Sequence, residues 1–346
     1  MSDAEVLFER RGAIGLVTLN RPKALNALTL GMVRAMTPQL KAWAEDVHVK
    51  AVVVRSTGER GFCAGGDIRA LYKSGIAKDS YATEFWGEEY QLNTLIKEYP
   101  KPYVALTQGV VMGGGVGLSV HGTHRVACET TMLAMPESGI GLFPDVGGTY
   151  FLPRLAGRVG LYLALTGARL KAADLRFLGI STHIAAYADF DAIVDALAAS
   201  GDVDAVLRPY AEPVADAPIA AITHDIDAHF GGASVEEVVA SLAADPGEWA
   251  QAQAAIIRSK SPTSLKIAFR QMQEGRLLPF RDCMRLEFRI TQQIQKGVDF
   301  YEGVRATIIE KDGAPKWSPA TLEEVKPWMI DAYFAPLAHE WSADDF

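Results

Sequence analysis

The sequence predicts an α/β fold, and two observations carry that prediction. Short apolar strands alternate with amphipathic helices along the first part of the chain, which is typical of α/β proteins. After about residue 170 the chain becomes mostly helical and rich in alanine. Pro209, Pro213 and Pro218 favour a boundary between the two parts close to these prolines. We therefore predict a strand-and-helix core over residues 1–205 and a mainly helical C-terminal region over residues 206–346.

The elements of the first part follow from local patterns. Residues 5–10 and 13–20 alternate between apolar and polar side chains, as paired strands do, with a turn at Arg11-Gly12. Thr29 suits a helix N-cap, and a helix from there to about Asp46 would carry an apolar stripe of Met32, Val33, Met36, Leu40 and Trp43. We predict further strands over 51–55, 103–108, 125–128 and 132–135, a helix that starts over 68–73, and helices over 84–98 and 114–121.

The second part is predicted to be a series of helices. Helical spacing of apolar residues occurs over 189–200, 234–244, 246–259, 263–273 and 279–296. The last stretch, residues 317–346, is acidic and aromatic.

Composition limits the class of partner. The chain has 346 residues, a formal net charge of −8 and no dense lysine or arginine tract, which disfavours a nucleic-acid partner. Its three cysteines show no CxxC spacing, so we expect neither disulfides nor a metal site, and a reducing compartment. No apolar run is long enough to cross a bilayer, and the first residues do not resemble a signal peptide. We therefore expect a cytoplasmic protein without a membrane partner.

Two glycine-rich loops follow apolar strands, one at 62–67 (FCAGGD) and one at 112–115 (MGGG). Backbone amides beside a helix start can bind a developing negative charge. Glycines in such loops equally serve to allow a positive φ or close helix packing. The local sequence leaves both interpretations open.

Two carboxylates, Glu137 and Asp145, stand in apolar surroundings. Burying a carboxylate is costly, so such a residue needs a partner or a function. Glu137 follows Pro136 and could be a helix-start carboxylate, while Asp145 could be a turn residue or an N-cap. The alternative for both is acid–base or nucleophilic chemistry.

Four motifs in a fixed order resemble the crotonase, or enoyl-CoA hydratase/isomerase, superfamily: LNRPKALNAL at 19–28, FCAGGDI at 62–68, GVVMGGGVGL at 109–118 and MPE at 135–137. The resemblance implies a crotonase-type spiral of ββα units and a CoA thioester substrate. It assigns the oxyanion hole to the amides of Gly66 and Gly114. It assigns the nucleotide end of CoA to Lys23, Ala24 and Leu25. Since CoA belongs to the substrate, no separate cofactor is expected.

One position departs from the hydratase pattern. Crotonase-type hydratases use two glutamates, one of them three residues beyond the middle glycine of the triplet, and this chain has Gly117 there. The second glutamate matches Glu137. Hydration of a double bond needs both a base and an acid, so the replacement argues against simple hydratase chemistry.

Longer segments are similar to a hydrolase branch of the superfamily, the 3-hydroxyisobutyryl-CoA hydrolases: GEEYQLN at 87–93, the 135–155 stretch, SPTSLKIAFRQ at 261–271 and the 299–319 stretch. Glu89, Gly114, Glu137 and Asp145 match substrate-contacting positions of that branch. The resemblance implies cleavage of a short 3-hydroxyacyl-CoA, first of all 3-hydroxyisobutyryl-CoA, in valine breakdown. Glu137 would attack the carbonyl directly or deprotonate water, Asp145 would hold the substrate hydroxyl or the water, and Glu89 would help to bind the hydroxyacyl end.

Several alternatives stay open at this point. An enoyl-CoA hydratase or a dienoyl-CoA isomerase would share the glycine loops, and a hydrolase for another short hydroxyacyl group would share the acids. A binding or assembly protein on a crotonase core is the non-enzyme alternative. The sequence also leaves open whether the chain forms a homo-oligomer.

Overall fold

A computed structural model describes residues 4–214 and 216–344 of the chain. Its strands are β1 (Val6–Arg11), β2 (Ile14–Leu19), β3 (Ala51–Ser56), β4 (Gly61–Cys63), β5 (Tyr103–Thr107), β6 (Val110–Met112), β7 (His124–Ala127), β8 (Met132–Ala134), β9 (Leu170–Lys171) and β10 (His183–Ile184). Its α-helices are α1 (Leu30–Glu45), α2 (Ile68–Ala77), α3 (Tyr81–Lys97), α4 (Gly114–Ser119), α5 (Gly148–Phe151), α6 (Val159–Thr166), α7 (Ala172–Phe177), α8 (Phe190–Ser200), α9 (Val203–Leu207), α10 (Thr223–His229), α11 (Val235–Ala244), α12 (Glu248–Arg258), α13 (Pro262–Gly275), α14 (Phe280–Ile294), α15 (Asp299–Val304) and α16 (Pro327–Phe334).

The strands form two sheets. One has the order β1-β2-β3-β5-β7-β10 and the other the order β4-β6-β8-β9. The β1–β2 hairpin and the β8–β9 pair are antiparallel, and the remaining ladders are parallel. Helices and mainly parallel strands together confirm the predicted α/β class.

Successive pairs of strands contribute one strand to each of the two sheets. β3, β5 and β7 lie side by side in the larger sheet, and the strand that follows each of them, β4, β6 or β8, lies in the smaller one. The chain therefore repeats the same two-strand step three times, which confirms the expected ββα spiral. Because β4 and β6 are parallel neighbours, the loops that follow them emerge at the same edge of the smaller sheet.

Local rules account for the first helix and for the core. Thr29 caps α1 by accepting a hydrogen bond from the amide of Met32, as predicted. All five residues of the predicted apolar stripe are buried. Apolar residues of the larger sheet pack against α8 and α9 in one buried cluster that includes Leu16, Val53, Phe190 and Leu197.

The second helix starts where the sequence predicts. The pattern over 68–73 indicates a helix start, and α2 begins at Ile68 and continues through Gly75 to Ala77. A Cβ atom at Gly75 would lie within 2.1 Å of the Tyr301 hydroxyl. A packing contact with a residue far along the chain, rather than local propensity, therefore explains this glycine inside a helix.

The chain folds into two compact units that interleave along the sequence. The first combines the segment up to Asp67 with Gln91–Ala134 and Arg169–Ala220, and the second combines Ile68–Tyr90 with Met135–Ala168 and the chain from Ala221 onward. Both sheets belong to the first unit. The division into 1–205 and 206–346 stays a sequence-based prediction. Among the described residues, no helix combines the length and apolar character needed to span a membrane.

Candidate active site

The first glycine loop leads from β4 into α2. Gly65 has φ +114°, a conformation that favours glycine. On either side of Gly66, the Gly65 carbonyl accepts from Leu28 N and the Asp67 amide donates to Leu28 O, both at 2.8 Å. The amide of Gly66 itself has no recorded acceptor within the described ranges. An amide without an acceptor among the described residues is what an oxyanion hole requires.

The second glycine loop begins α4. Gly113 is the N-cap of this helix, with φ +44°, and Gly114 is its first residue. The amide of Gly114 thus has no acceptor inside the helix. A Cβ atom built on Gly65 would lie 3.5 Å from the Met112 carbonyl oxygen and 3.8 Å from Gly113 Cα. The two loops are therefore neighbours, as a shared oxyanion hole requires, and the roles of Gly66 and Gly114 stay predictions.

The segment expected to hold the nucleotide end of CoA lies beside the first loop. Pro22–Ala24 is a single 3-10 turn, with Lys23 and Ala24 exposed. Leu25 is half-buried, and its carbonyl accepts from Ala64 N at 3.0 Å. Pro22, Lys23 and residues 57–61 line a cleft of about 250 Å³. The exposed groups fit the expected role, which stays a prediction.

Asn26 holds this segment in place and was not singled out from the sequence. It is fully buried with φ +55°. Its side-chain amide donates to the carbonyls of Thr57 and Gly61 at 2.9 Å, and its Oδ1 accepts from the amide of Arg21 at 2.8 Å. An asparagine between two apolar stretches was the available signal, because a buried amide needs several partners.

The three candidate acids belong to the second unit, and all are buried. Glu89 is 2% exposed, Glu137 5% and Asp145 4%. Glu89 therefore does not lie on the exposed face of α3. Burial, followed by the charges of Asp145 and Glu287, raises the pKa of Glu89 well above its ordinary value. One of its oxygens, Oε1, has no hydrogen-bond partner among the described residues.

Glu137 opens a short 3-10 turn, Glu137–Ile140, after Pro136. Its Oε2 is buried and has no hydrogen-bond partner in the described structure. Burial and then the charge of Asp145 raise the pKa of Glu137 well above its ordinary value, whereas half-buried Lys260 opposes this shift. A carboxylate with a free oxygen and a raised pKa suits a general base or nucleophile.

Asp145 lies in the loop before α5. The N-cap of that helix is Gly147, so the N-cap interpretation of Asp145 is wrong. The side chain instead accepts a hydrogen bond of 2.9 Å from the hydroxyl of buried Tyr90. Burial raises the pKa of Asp145 to about 7, and the hydrogen bond from Tyr90 partly offsets this.

A fourth buried acid, Glu287, was missed from the sequence. It is fully buried on α14 and accepts from the amides of Gly147 and Thr149, each at 2.9 Å. Burial and then the charge of Asp145 raise the pKa of Glu287 to about 8. The helical pattern carried a signal, because the neighbours of Glu287 one turn away are all buried: Cys283, Met284, Ile290 and Thr291.

Comparison with known proteins assigns the chain to a family. Residues 14–334 match the family model described as enoyl-CoA hydratase/isomerase, and the chain belongs to that family. It is 49% identical to a protein of Danio rerio named 3-hydroxyisobutyryl-CoA hydrolase, mitochondrial, over 96% of this chain and 90% of the relative. The protein of the same name from Xenopus tropicalis is 47% identical over 98% of this chain and 91% of the relative.

One solved structure is also similar to this chain over nearly the full length of both. It is described as a carnitinyl-CoA dehydratase from Mycobacterium thermoresistibile, with 42% identity, a TM-score of 0.95 and coverage of 99% of this chain and 100% of that chain. The names of these relatives thus divide between thioester hydrolysis and dehydration. The curated relatives are named mitochondrial, which does not agree with the cytoplasmic location expected from the sequence.

Proposed function

We propose that this protein hydrolyses 3-hydroxyisobutyryl-CoA to 3-hydroxyisobutyrate and CoA, a step of valine breakdown. The observation that carries the proposal is the pair of buried carboxylates, Glu137 and Asp145, in a chain with glycine at position 117. Thioester hydrolysis needs one base or nucleophile and a site for the oxyanion, and thiolate leaves without strong acid assistance. The names of the curated relatives support the same reaction.

In the proposed reaction the amides of Gly66 and Gly114 bind the thioester oxygen as it becomes negative. One such donor contributes about 3 kcal/mol to the transition state. Glu137 either attacks the carbonyl carbon, giving a mixed anhydride that water then opens, or removes a proton from the attacking water. Burial and the charge of Asp145 raise the pKa of Glu137, which makes its carboxylate a stronger base.

The remaining site residues are assigned to the substrate. We assign Asp145 to the substrate hydroxyl or the attacking water, and Glu89 to the hydroxyacyl end. Oε1 of Glu89 has no hydrogen-bond partner among residues 4–214 and 216–344, which supports this assignment, since a buried carboxylate oxygen needs a hydrogen-bond donor. Exposed Lys23 and Ala24, with Leu25, are assigned to the nucleotide end of CoA, and no further cofactor is needed.

A second candidate is elimination or addition of water on a CoA ester. The similar structure named carnitinyl-CoA dehydratase favours it. Gly117 argues against it, because the family's hydratases place a second acid–base glutamate there. A dienoyl-CoA isomerase is disfavoured for the same reason, and a binding protein would not need to bury acids with unpartnered oxygens.

A thiol-release assay over a panel of short acyl-CoAs tests the proposal. We expect rapid release of CoA from 3-hydroxyisobutyryl-CoA and slower release from isobutyryl-CoA, which lacks the hydroxyl. The absorbance of the conjugated enoyl thioester is followed in parallel with crotonyl-CoA. Rapid hydration of crotonyl-CoA without any thiol from the hydroxyacyl ester would overturn the proposal in favour of the second candidate.

Location and assembly are separate expectations. The sequence favours the cytoplasm, whereas the names of the relatives point to mitochondria. Cell fractionation with an antibody to the chain decides between them, and light scattering of the purified protein gives its oligomeric state.

A further inference from the structure

The loop that carries Asp145 has a strained backbone. Val146 has φ +48° and Gly147 has φ +88°, so two consecutive residues are left-handed. The left-handed region is an outlier for a β-branched residue such as valine. A backbone of this kind persists only where surrounding contacts hold it.

Glu287 supplies such contacts from a distant part of the sequence. Its Oε2 accepts from the amide of Gly147 and its Oε1 from the amide of Thr149, both at 2.9 Å. The side chain is 0% exposed, so water does not compete for these bonds. Hydrogen bonds from backbone amides to a buried carboxylate are among the stronger ones in proteins.

Gln271, on α13, holds the same loop at other atoms. Its amide nitrogen donates to the carbonyl of Pro144 and to Thr149 Oγ1. The backbone on both sides of Asp145 is thus tied to two C-terminal helices, while Tyr90 binds the Asp145 side chain. The amide of Gly147 already donates to Glu287 and the amide of Gly148 donates to the Asp145 carbonyl, so these two amides are not a binding site for an outside ligand.

We propose that Glu287 is a positioning residue: it fixes the backbone of residues 146–149 and thereby sets the position of the Asp145 carboxylate. Its effect on catalysis, which rests on the proposed hydrolase function, passes through Asp145. A structural role without this link would weaken the fold but would not depend on Asp145.

A double-mutant cycle separates the two possibilities. In Glu287→Gln an NH₂ group faces one of the two backbone amides, so one of the hydrogen bonds is lost. We expect this variant to lower kcat/KM for 3-hydroxyisobutyryl-CoA about 10-fold, the usual size of one lost buried bond. In an Asp145→Asn background the same change should have less than about a twofold effect, because coupled sites are not additive.

Equal losses in both backgrounds, or no loss in Glu287→Gln alone, overturn the proposal. Glu274→Gln on α13 is the matched control, since Glu274 pairs with Arg270 at the surface, and its kcat/KM should not change. If Glu287→Gln does not fold, Gln271→Met enters the same cycle, because it removes the other tie to the loop.

A second readout does not depend on the assigned reaction. If the wild-type protein releases no thiol, the proposed function is refuted, and the positioning role of Glu287 is then tested by structure rather than by activity. In that case a crystal structure of Glu287→Gln decides. Loss of the Tyr90–Asp145 hydrogen bond supports the positioning role, and a preserved bond with an unmoved loop overturns it.

Discussion

The hydroxyl of Tyr90 donates a 2.9 Å hydrogen bond to the carboxylate of Asp145, and both residues are buried. This bond opposes the rise in the Asp145 pKa that burial causes. Tyr90 thus keeps Asp145 closer to its charged form and fixes the direction of its side chain. Tyr90, which follows Glu89 on α3, therefore acts on Asp145, which lies far from it in the sequence.

Replacing Tyr90 by phenylalanine should raise the pKa of Asp145 further, because the charged form loses its donor. We expect the acid limb of the pH profile of kcat/KM to move to higher pH, with a loss of about 10-fold near pH 7. Tyr301→Phe is the control, since its hydroxyl donates to a backbone carbonyl, that of Gln295, and to no carboxylate among the described residues. An unchanged profile in Tyr90→Phe would contradict this role.

The change Glu137→Gln should remove the base or nucleophile while keeping the shape of the side chain. We expect kcat to fall by about 100- to 10,000-fold, with CoA binding nearly unchanged, because general-base effects are of this size. Thiol-release assays measure kcat, and calorimetric titration with CoA measures the binding affinity. The exposed Glu248 supplies a matched Glu→Gln control. A nearly fully active Glu137→Gln enzyme would exclude Glu137 as the catalyst.

The buried acids should make stability fall as pH rises. Their folded-state pKa values are raised, to about 7 for Asp145 and about 8 for Glu287, above ordinary values of 3.8 and 4.5. Between about pH 4 and pH 8 the folded protein therefore binds more protons than the unfolded chain, so the free energy of unfolding decreases with pH. Urea unfolding at several pH values measures this slope. Asp145→Asn should make the dependence of the free energy of unfolding on pH shallower. An identical slope in this variant would contradict a raised pKa of Asp145 in the folded protein.

The C-terminal tail should contribute to stability through Trp341. This residue is 4% exposed, its indole nitrogen donates to the Gly87 carbonyl at 3.0 Å, and its ring packs edge-on against Tyr90. Trp341→Phe should cost about 1–3 kcal/mol in the free energy of unfolding, through the lost hydrogen bond and packing. Trp328, which is 70% exposed, gives the control Trp328→Phe. Equal unfolding midpoints for the two variants would argue against this contact.

Local patterns predicted much of the fold. The paired strands β1 and β2, the cap at Thr29 and the stripe on α1 all depend on neighbours within a few residues, and the structure confirms them. The sequence predicted the start of α2 but not its length, because the helix includes Gly75, which packs against Tyr301 far away in the sequence. Local rules contain no term for such contacts.

The candidate site was predicted unevenly. Glu137 and Asp145 stood out because carboxylates in apolar sequence are unusual, and both are buried. The interpretation of Asp145 as an N-cap was wrong, since Gly147 fills that position. Glu287 was missed because a lone glutamate on an amphipathic helix is far more often on the exposed side.

By itself, the sequence determined many of the local elements, which residues have unusual chemistry and which family the chain resembles. These properties follow from side-chain type and from spacing along the chain. Only the tertiary structure decided that Tyr90 binds Asp145 and that Glu287 holds the loop at Gly147 and Thr149. Hydrogen bonds and desolvation depend on distance in space, and folding brings together residues that the sequence separates by more than 100 positions.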